Sequence, residues 1–167
     1  NTTMSKKLIS MSLYGDLNMY IEGARHNVAC YKDYYPDYDL RIYVSQPIDL
    51  DCETVVMGPS NEHSGMMWRF LPMFEDGLSH IIFRDTDSRL NDREVQAVKA
   101  WEASGKVAHA MHDHEHHRSY PLFGGMWGIK GRQHTEGLLP NRKNDVICLS
   151  EGPLKRVGDM DWLRDRV

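Results

Sequence analysis

Residues 80–89 read His-Ile-Ile-Phe-Arg-Asp-Thr-Asp-Ser-Arg, an apolar run that leads directly into two aspartates separated by one residue. An apolar run of this length with polar flanks is typical of a buried strand. Because side chains alternate along a strand, Asp85 and Asp87 are predicted to face one spot at its carboxyl end. Two converging carboxylates repel each other unless a cation lies between them. Mg2+ or Mn2+ suits such ligands and shares its other positions with water and phosphates. The run therefore predicts a metal site and a phosphate-bearing substrate, and its alternative interpretation is a turn that caps the next helix.

The patterns on either side of this run alternate between strand and helix. Helical spacing of apolar residues predicts helices over 16–35 and 64–74, and Asn91 with Glu94 forms a capping-box pattern before another. This order is typical of an α/β sandwich with a mostly parallel sheet, whose ligands bind beyond the carboxyl ends of the strands. Strands are predicted at 8–13, 40–44, 53–57 and 107–111, a strand and turn at 120–130, a loop at 141–144 and a final helix from 159.

Composition narrows the function classes. The 167 residues suit one compact domain, and the net charge of -4 argues against general nucleic-acid binding. Neither an apolar stretch of about 18 residues nor a signal peptide is found in the sequence, so no membrane span is expected. Three widely spaced cysteines, none in a CxxC pair, favour a reducing, cytoplasmic setting over a disulfide scaffold.

Several segments together resemble a known family. Residues 64–72 (Ser-Gly-Met-Met-Trp-Arg-Phe-Leu-Pro) and 81–89 look like the core of GT-A-type, nucleotide-sugar-dependent glycosyltransferases, in which a helix with a basic residue precedes the strand that ends in the DxD motif. Residues 124–128 (Gly-Gly-Met-Trp-Gly) are similar to the segment that lies against the donor sugar, and 159–163 (Asp-Met-Asp-Trp-Leu) resemble a segment of the glycogenin-like and galactosyltransferase-like branch. Poorly characterised bacterial and viral glycosyltransferase-like proteins are similar in the same segments.

The resemblance implies a GT-A-like (Rossmann-like) α/β/α sandwich with a mostly parallel central sheet over 1–167, a single nucleotide-sugar-binding catalytic domain that is a minimal core, is truncated at its C-terminus, or takes its third metal ligand from elsewhere. It implies transfer of a hexosyl group from a UDP- or GDP-sugar to an unknown glycan, protein or lipid acceptor, with Mn2+ or Mg2+ held by Asp85 and Asp87. It also implies that Tyr14 lies at the nucleotide base and that Asp159 lines the sugar pocket. The sequence departs from the family at Met160, where relatives carry an amide, and it ends before the late histidine that completes the metal site in relatives.

Further candidates follow from residue chemistry. Arg69 and Arg84 are candidate diphosphate contacts, because guanidinium groups match phosphate oxygens, although Arg84 could instead pair with a surface carboxylate. The Gly124-Gly125 pair lets the backbone approach a ligand, or forms a bulge. The histidine-rich loop, with His109 just before it and His116 and His117 near its end, offers donor contacts from His112 and His114, a zinc site or only a solvated loop. An inverting enzyme needs a carboxylate base, for which Asp161, Asp113 and Glu115 are candidates.

Two other function classes remain open from the sequence. A phosphohydrolase of the haloacid dehalogenase type also places DxD after an apolar strand, with the first aspartate as nucleophile and Mg2+ as helper, although there the motif opens the domain. A non-catalytic nucleotide-sugar-binding module would retain the donor site without the transfer chemistry.

Overall fold

The computed structural model describes residues 5–111, 125–135 and 142–151. Within these ranges the chain forms a sheet of six strands, one 3₁₀ helix and four α-helices. In chain order the elements are β1 (Lys6–Leu13), α1 (Leu17–Tyr34), β2 (Tyr38–Val44), β3 (Glu53–Val56), the 3₁₀ helix (Ser64–Phe74), β4 (Leu78–Arg84), α2 (Asp92–Ser104), β5 (Ala108–Ala110), β6 (Met126–Lys130), α3 (Arg132–Thr135) and α4 (Arg142–Glu151).

The predicted strands and the first three predicted helices form within the described residues, with the prediction at 120–130 tested only from residue 125, and local chemistry explains several of their ends. The Asn91 side chain accepts a hydrogen bond from the Glu94 backbone N–H at 2.9 Å, which caps α2. Gly105 ends the same helix with a φ of 71°, a conformation that glycine adopts without strain. The loop predicted at 141–144 is wrong from 142 onward, because α4 begins there. The helix predicted from 159 lies outside the described residues.

The sheet has the strand order β3-β2-β1-β4-β6-β5. Strands β1 to β4 run parallel, and β6 runs antiparallel to both β4 and β5. The α/β class with a mostly parallel sheet is therefore confirmed. Because β6 runs against β4, its first residues lie beside the carboxyl end of β4, where Arg84 is paired with Met126.

Each face of the sheet is covered by its own apolar layer. Alternate residues of β1 divide between them, since Ile9, Met11 and Leu13 face α1 and α2 whereas Leu8 faces the 3₁₀ helix and α4. On the latter face Phe70 and Trp127 enclose Phe83, with ring centroids 5.2 and 4.6 Å from that of Phe83. Such aromatic pairs contribute roughly 0.5–1.5 kcal/mol beyond the area they bury. This packing fixes the 3₁₀ helix against the strand that carries the aspartates.

The direction of the chain across the sheet reverses next to β1. After β1 the chain adds β2 and β3 on one side, then crosses the sheet by way of the 3₁₀ helix and adds β4 on the other side. Such a reversal leaves a crevice at the carboxyl ends of the two strands concerned, and open α/β sheets bind their ligands there. Tyr14 follows β1 and Asp85 follows β4, so both residues lie at this reversal.

Candidate functional site

The two aspartates lie in a turn that follows β4. The strand ends at Arg84, and the Ser88 backbone N–H donates to the Asp85 carbonyl at 3.3 Å, which closes the turn. The Asp85 side chain is 48% exposed, Thr86 is buried and Asp87 is exposed. The prediction that strand alternation aims both carboxylates is therefore wrong in its mechanism, because the hydrogen-bonded turn sets their directions.

Arg69 reaches the turn from the 3₁₀ helix. Its guanidinium Nη1 lies 2.5 Å from Asp85 Oδ1, and its side chain is only 6% exposed. Two serines of β1 hold its backbone: Ser10 Oγ donates to the Arg69 carbonyl at 2.6 Å, and the Arg69 N–H donates to Ser12 Oγ at 3.1 Å. The bond between the Arg69 guanidinium and the Asp85 carboxylate is charge-assisted, and such a bond is about twice as strong as a neutral one. The structure thus places the Arg69 guanidinium on Asp85 of the DxD motif, and its contact with a diphosphate stays a prediction.

Gly125 lies against the other side of the same carboxylate. A Cβ atom at this position would lie 2.7 Å from Asp85 Oδ1 and closer still to Oδ2. Real Cβ contacts essentially never become this short, so any side chain at Gly125 would displace the Asp85 carboxylate. The sequence predicted that this glycine lets the backbone approach a ligand; the group it approaches in the structure is the Asp85 side chain, and the ligand contact stays a prediction.

Arg84 does not belong to this site. Its side chain is 1% exposed, its Nε lies 2.8 Å from Glu94 Oε1, and its Nη1 donates to the carbonyls of Phe83 and Trp127 at 2.7 and 3.2 Å. Adjacent residues of a strand point to opposite faces, so Arg84 faces α2 while Phe83 faces the 3₁₀ helix. The prediction that Arg84 contacts a diphosphate is therefore wrong. The carboxylate partner that the sequence left as an alternative exists, but it is buried.

Tyr14 is part of an aromatic group at the carboxyl end of β1. Its half-buried ring meets Trp68 and His63 edge to face, with centroids 6.2 and 6.4 Å away. Gly65 makes room for this ring, because a Cβ there would lie 2.7 Å from Tyr14 Cγ. The ring is therefore held in one orientation beside the reversal in the sheet. A fixed, partly exposed aromatic ring is suited to stacking on a planar ligand group.

His109 lies apart from the aspartates, on the face that carries α2. Its ring stacks on Trp101 with centroids 4.7 Å apart and planes inclined by 24°. Burial, with a smaller contribution from the Arg84 cation, lowers the pKa of His109 to about 4. This histidine is consequently neutral at pH 7 and packs as part of the structure.

Helix α1 supports the turn in a way that the sequence did not predict. Asn27 is fully buried, and its Nδ2 donates to the carbonyls of Thr86 and Ser88 at 3.0 and 2.9 Å. One helical turn earlier, a Cβ at Gly23 would lie 2.7 Å from the Thr86 carbonyl oxygen. The available signal was the presence of a glycine and an asparagine, four residues apart, beside the apolar stripe of the helix. The contact between Asn27 and Thr86 could not be predicted from local sequence, because 59 residues separate them in the chain.

Most of the remaining predicted site residues are beyond the part of the chain that the structure describes. Residues 112–124 and 152–167 are not described, and they contain the second group of candidate sugar contacts and bases. These predictions are Gly124, His112, His114, Asp113, Glu115, Asp159 and Asp161.

The two carboxylates fit a hard divalent cation that arrives with a phosphate group. Asp87 is exposed, and Asp85 is half-exposed with one oxygen bonded to Arg69. Within 5–111, 125–135 and 142–151 no group of three or more His, Cys, Asp or Glu side chains could hold a metal ion. One or two carboxylates completed by water and substrate phosphates are the usual surroundings of protein-bound Mg2+. Asp85 and Asp87 are carboxylates of this kind, and the metal that they are predicted to hold stays a prediction.

Comparison with known proteins adds no family to this geometry. No protein-family model matches the chain, and no curated protein matches it significantly. In the described ranges, no helix combines the length and apolar character that crossing a bilayer requires.

Proposed function

We propose that this chain is a GT-A-like, metal-dependent glycosyltransferase domain that takes a sugar from a nucleoside diphosphate sugar. The observation that carries the proposal is the group formed by Arg69, Asp85 and Gly125, where the strand order reverses beside β1. Open α/β sheets bind nucleotides at such a reversal, and an acidic turn there suits a metal diphosphate. The family resemblance of these same segments supports the same function.

Each residue of this group has a distinct task in the proposed mechanism. A bound Mn2+ or Mg2+ would neutralise the charge that develops on the departing diphosphate. Asp87 and Asp85 Oδ2 would hold that cation, because Arg69 pairs with Asp85 Oδ1. Arg69 fixes the Asp85 carboxylate and adds a buried positive charge near the diphosphate. Tyr14 would stack on the nucleotide base, and Gly125 keeps the space beside Asp85 free of side chain.

The phosphohydrolase alternative receives less support from this geometry. That mechanism needs the first aspartate to attack a phosphorus atom as a free nucleophile. Asp85 Oδ1 is bound to a buried guanidinium, and Gly125 backs the carboxylate on another side. An ion-paired carboxylate is a weaker nucleophile, so we favour binding of a metal diphosphate over covalent catalysis.

Binding of the donor tests the proposal most directly. UDP- and GDP-sugars are titrated calorimetrically with and without Mn2+, using the full chain and the variant Asp87→Asn. We expect binding that depends on Mn2+, weakened by about tenfold or more in Asp87→Asn because one carboxylate ligand of the cation is lost. The matched control is Asp76→Asn, which alters an 89% exposed aspartate at the opposite, amino end of β4.

The outcomes separate the proposal from its alternatives. Indifference of donor binding to both Mn2+ and Asp87→Asn, or the absence of any binding, contradicts the donor site. A non-catalytic module predicts metal-dependent binding without release of free sugar or transfer to acceptors, as followed by mass spectrometry. Phosphate release from simple phosphate esters favours the phosphohydrolase.

A further inference from the structure

We propose that Asn27 of α1 is a positioning residue, which holds the turn that carries Asp87 in the conformation that binds the metal diphosphate. This inference rests on the proposed function, because it names the device that keeps the proposed metal ligand in place. It concerns a residue outside the resemblance to the glycosyltransferase core, on a helix for which no ligand contact was predicted.

The two hydrogen bonds of Asn27 bracket Asp87 in the chain. Its Nδ2 donates to the carbonyl of Thr86 at 3.0 Å and to the carbonyl of Ser88 at 2.9 Å. A side-chain amide has two N–H donors on this nitrogen, so both are engaged by the turn. The carbonyls of the residues before and after Asp87 are therefore tied to one helix, which restrains the backbone from which the Asp87 carboxylate leaves the turn.

Close packing of the helix backbone reinforces this tie. A Cβ atom at Gly23 would lie 2.7 Å from the Thr86 carbonyl oxygen and 3.0 Å from Asp87 Cα. Residues four apart in a helix lie on one face, so Gly23 and Asn27 form a continuous contact with the turn. Arg89 strengthens the contact from the other side, since its Nη1 donates to the Gly23 carbonyl at 3.5 Å.

The exposure of the carboxylate explains why such a support is needed. Asp87 is exposed, and no ion pair joins it to another described residue, whereas Asp85 is held by Arg69. An exposed carboxylate on an unsupported turn would adopt many orientations, and binding of a cation would cost the entropy of ordering that carboxylate. Fixing the backbone beforehand lowers that cost, which is the usual benefit of preorganised metal ligands.

The test compares Asn27→Asp with the full, unaltered chain. Asp has the size of Asn but replaces the donor with an oxygen that faces two carbonyl oxygens, so the turn is released or pushed away. Electron paramagnetic resonance measures the Kd for Mn2+ in the presence of UDP, and calorimetry measures the Kd for UDP without metal. We expect the first Kd to rise about tenfold or more and the second to change by less than about twofold.

Two further variants distinguish positioning from simple loss of stability. Val98→Ala removes a buried side chain of α2 from the same core face, so it destabilises the fold without touching the turn. It is expected to keep the Mn2+ affinity of the unaltered chain at temperatures below its unfolding. Should Asn27→Asp not fold, Asn27→Ala removes both N–H donors without adding an oxygen that repels the two carbonyls, and it is expected to show the same selective loss.

The results separate this inference from the function on which it rests. If the unaltered chain binds no Mn2+ with UDP, the proposed function is wrong and the role of Asn27 is wrong with it. If the unaltered chain binds Mn2+ with UDP and a folded Asn27 variant binds it equally well, the donor site stands and only the positioning role is wrong. A Val98→Ala variant that loses Mn2+ affinity to the same extent also overturns the positioning role.

Discussion

At the scale of single residues, the candidate site depends on a glycine whose missing side chain leaves room for the Asp85 carboxylate. Gly125 precedes β6 and contacts the Asp85 carboxylate, which Arg69 holds from another direction. The carboxylate is therefore enclosed by a cation and by bare backbone. Arg69 in turn depends on Ser10 and Ser12, whose hydroxyl groups bind its carbonyl and its N–H.

Gly125→Ala tests this enclosure. The added methyl group would overlap the Asp85 carboxylate, so the aspartate must rotate away from Arg69 or β6 must shift. We expect the Kd for a UDP-sugar with Mn2+ to rise by about tenfold, measured by calorimetry.

Gly65→Ala serves as the control for this prediction, because its methyl group would instead crowd the Tyr14 ring. It is expected to weaken nucleotide binding with and without Mn2+ alike. Equal metal dependence in Gly125→Ala and in the unaltered chain would contradict the enclosure of Asp85.

At the scale of elements, β4 and the turn after it supply two adjacent charged residues with unrelated tasks. Arg84 is the last residue of β4 and pairs with Glu94 of α2, while Asp85 begins the turn and pairs with Arg69 on the 3₁₀ helix. The apolar run of β4 and the DxD turn after it were predictable from sequence because both are local patterns. The partners were not predictable, because Arg69 and Glu94 are brought to the two faces of the sheet by tertiary packing.

Glu94→Gln tests the task of Arg84. It leaves a buried guanidinium without its counter-charge, so we expect the free energy of unfolding to fall by about 3 kcal/mol, measured by urea denaturation. The double variant Arg84→Met with Glu94→Leu removes both charges and is expected to recover most of this loss.

Both variants are expected to retain metal-dependent UDP-sugar binding when folded, since the pair lies on the face away from Arg69. A folded double variant that loses donor binding would show that Arg84 contributes to the donor site although its side chain is buried.

At the scale of the whole molecule, the two faces of the sheet carry different polar groups around the carboxyl end of β4. Arg69 and the two serines that bind it lie on the face of the 3₁₀ helix, whereas Arg84, Glu94 and His109 lie on the face of α1 and α2. The separation could be predicted only in part, because alternation along β1 indicates two different faces but does not say which helix covers each. The support that Asn27 gives the turn crosses from the second face to the site at the carboxyl end of β4.

Burial of His109 on the face of α1 and α2 predicts that the free energy of unfolding falls in acid. Its pKa is lowered to about 4 in the folded chain by burial and by Arg84, below the usual value of 6.5. The unfolded chain therefore binds a proton first as the pH falls, so this stability is complete above about pH 6.5 and is lost between there and about pH 4. Allowing for its partial exposure, the loss is on the order of 2 kcal/mol.

His109→Gln, of similar size and without this titration, is expected to reduce the slope of unfolding free energy against pH over that range, measured by urea denaturation. Burial also lowers the pKa of His80 on the other side of Trp101, so a smaller slope of the same sign remains in the variant. An unchanged slope in His109→Gln would show that the acid sensitivity arises elsewhere.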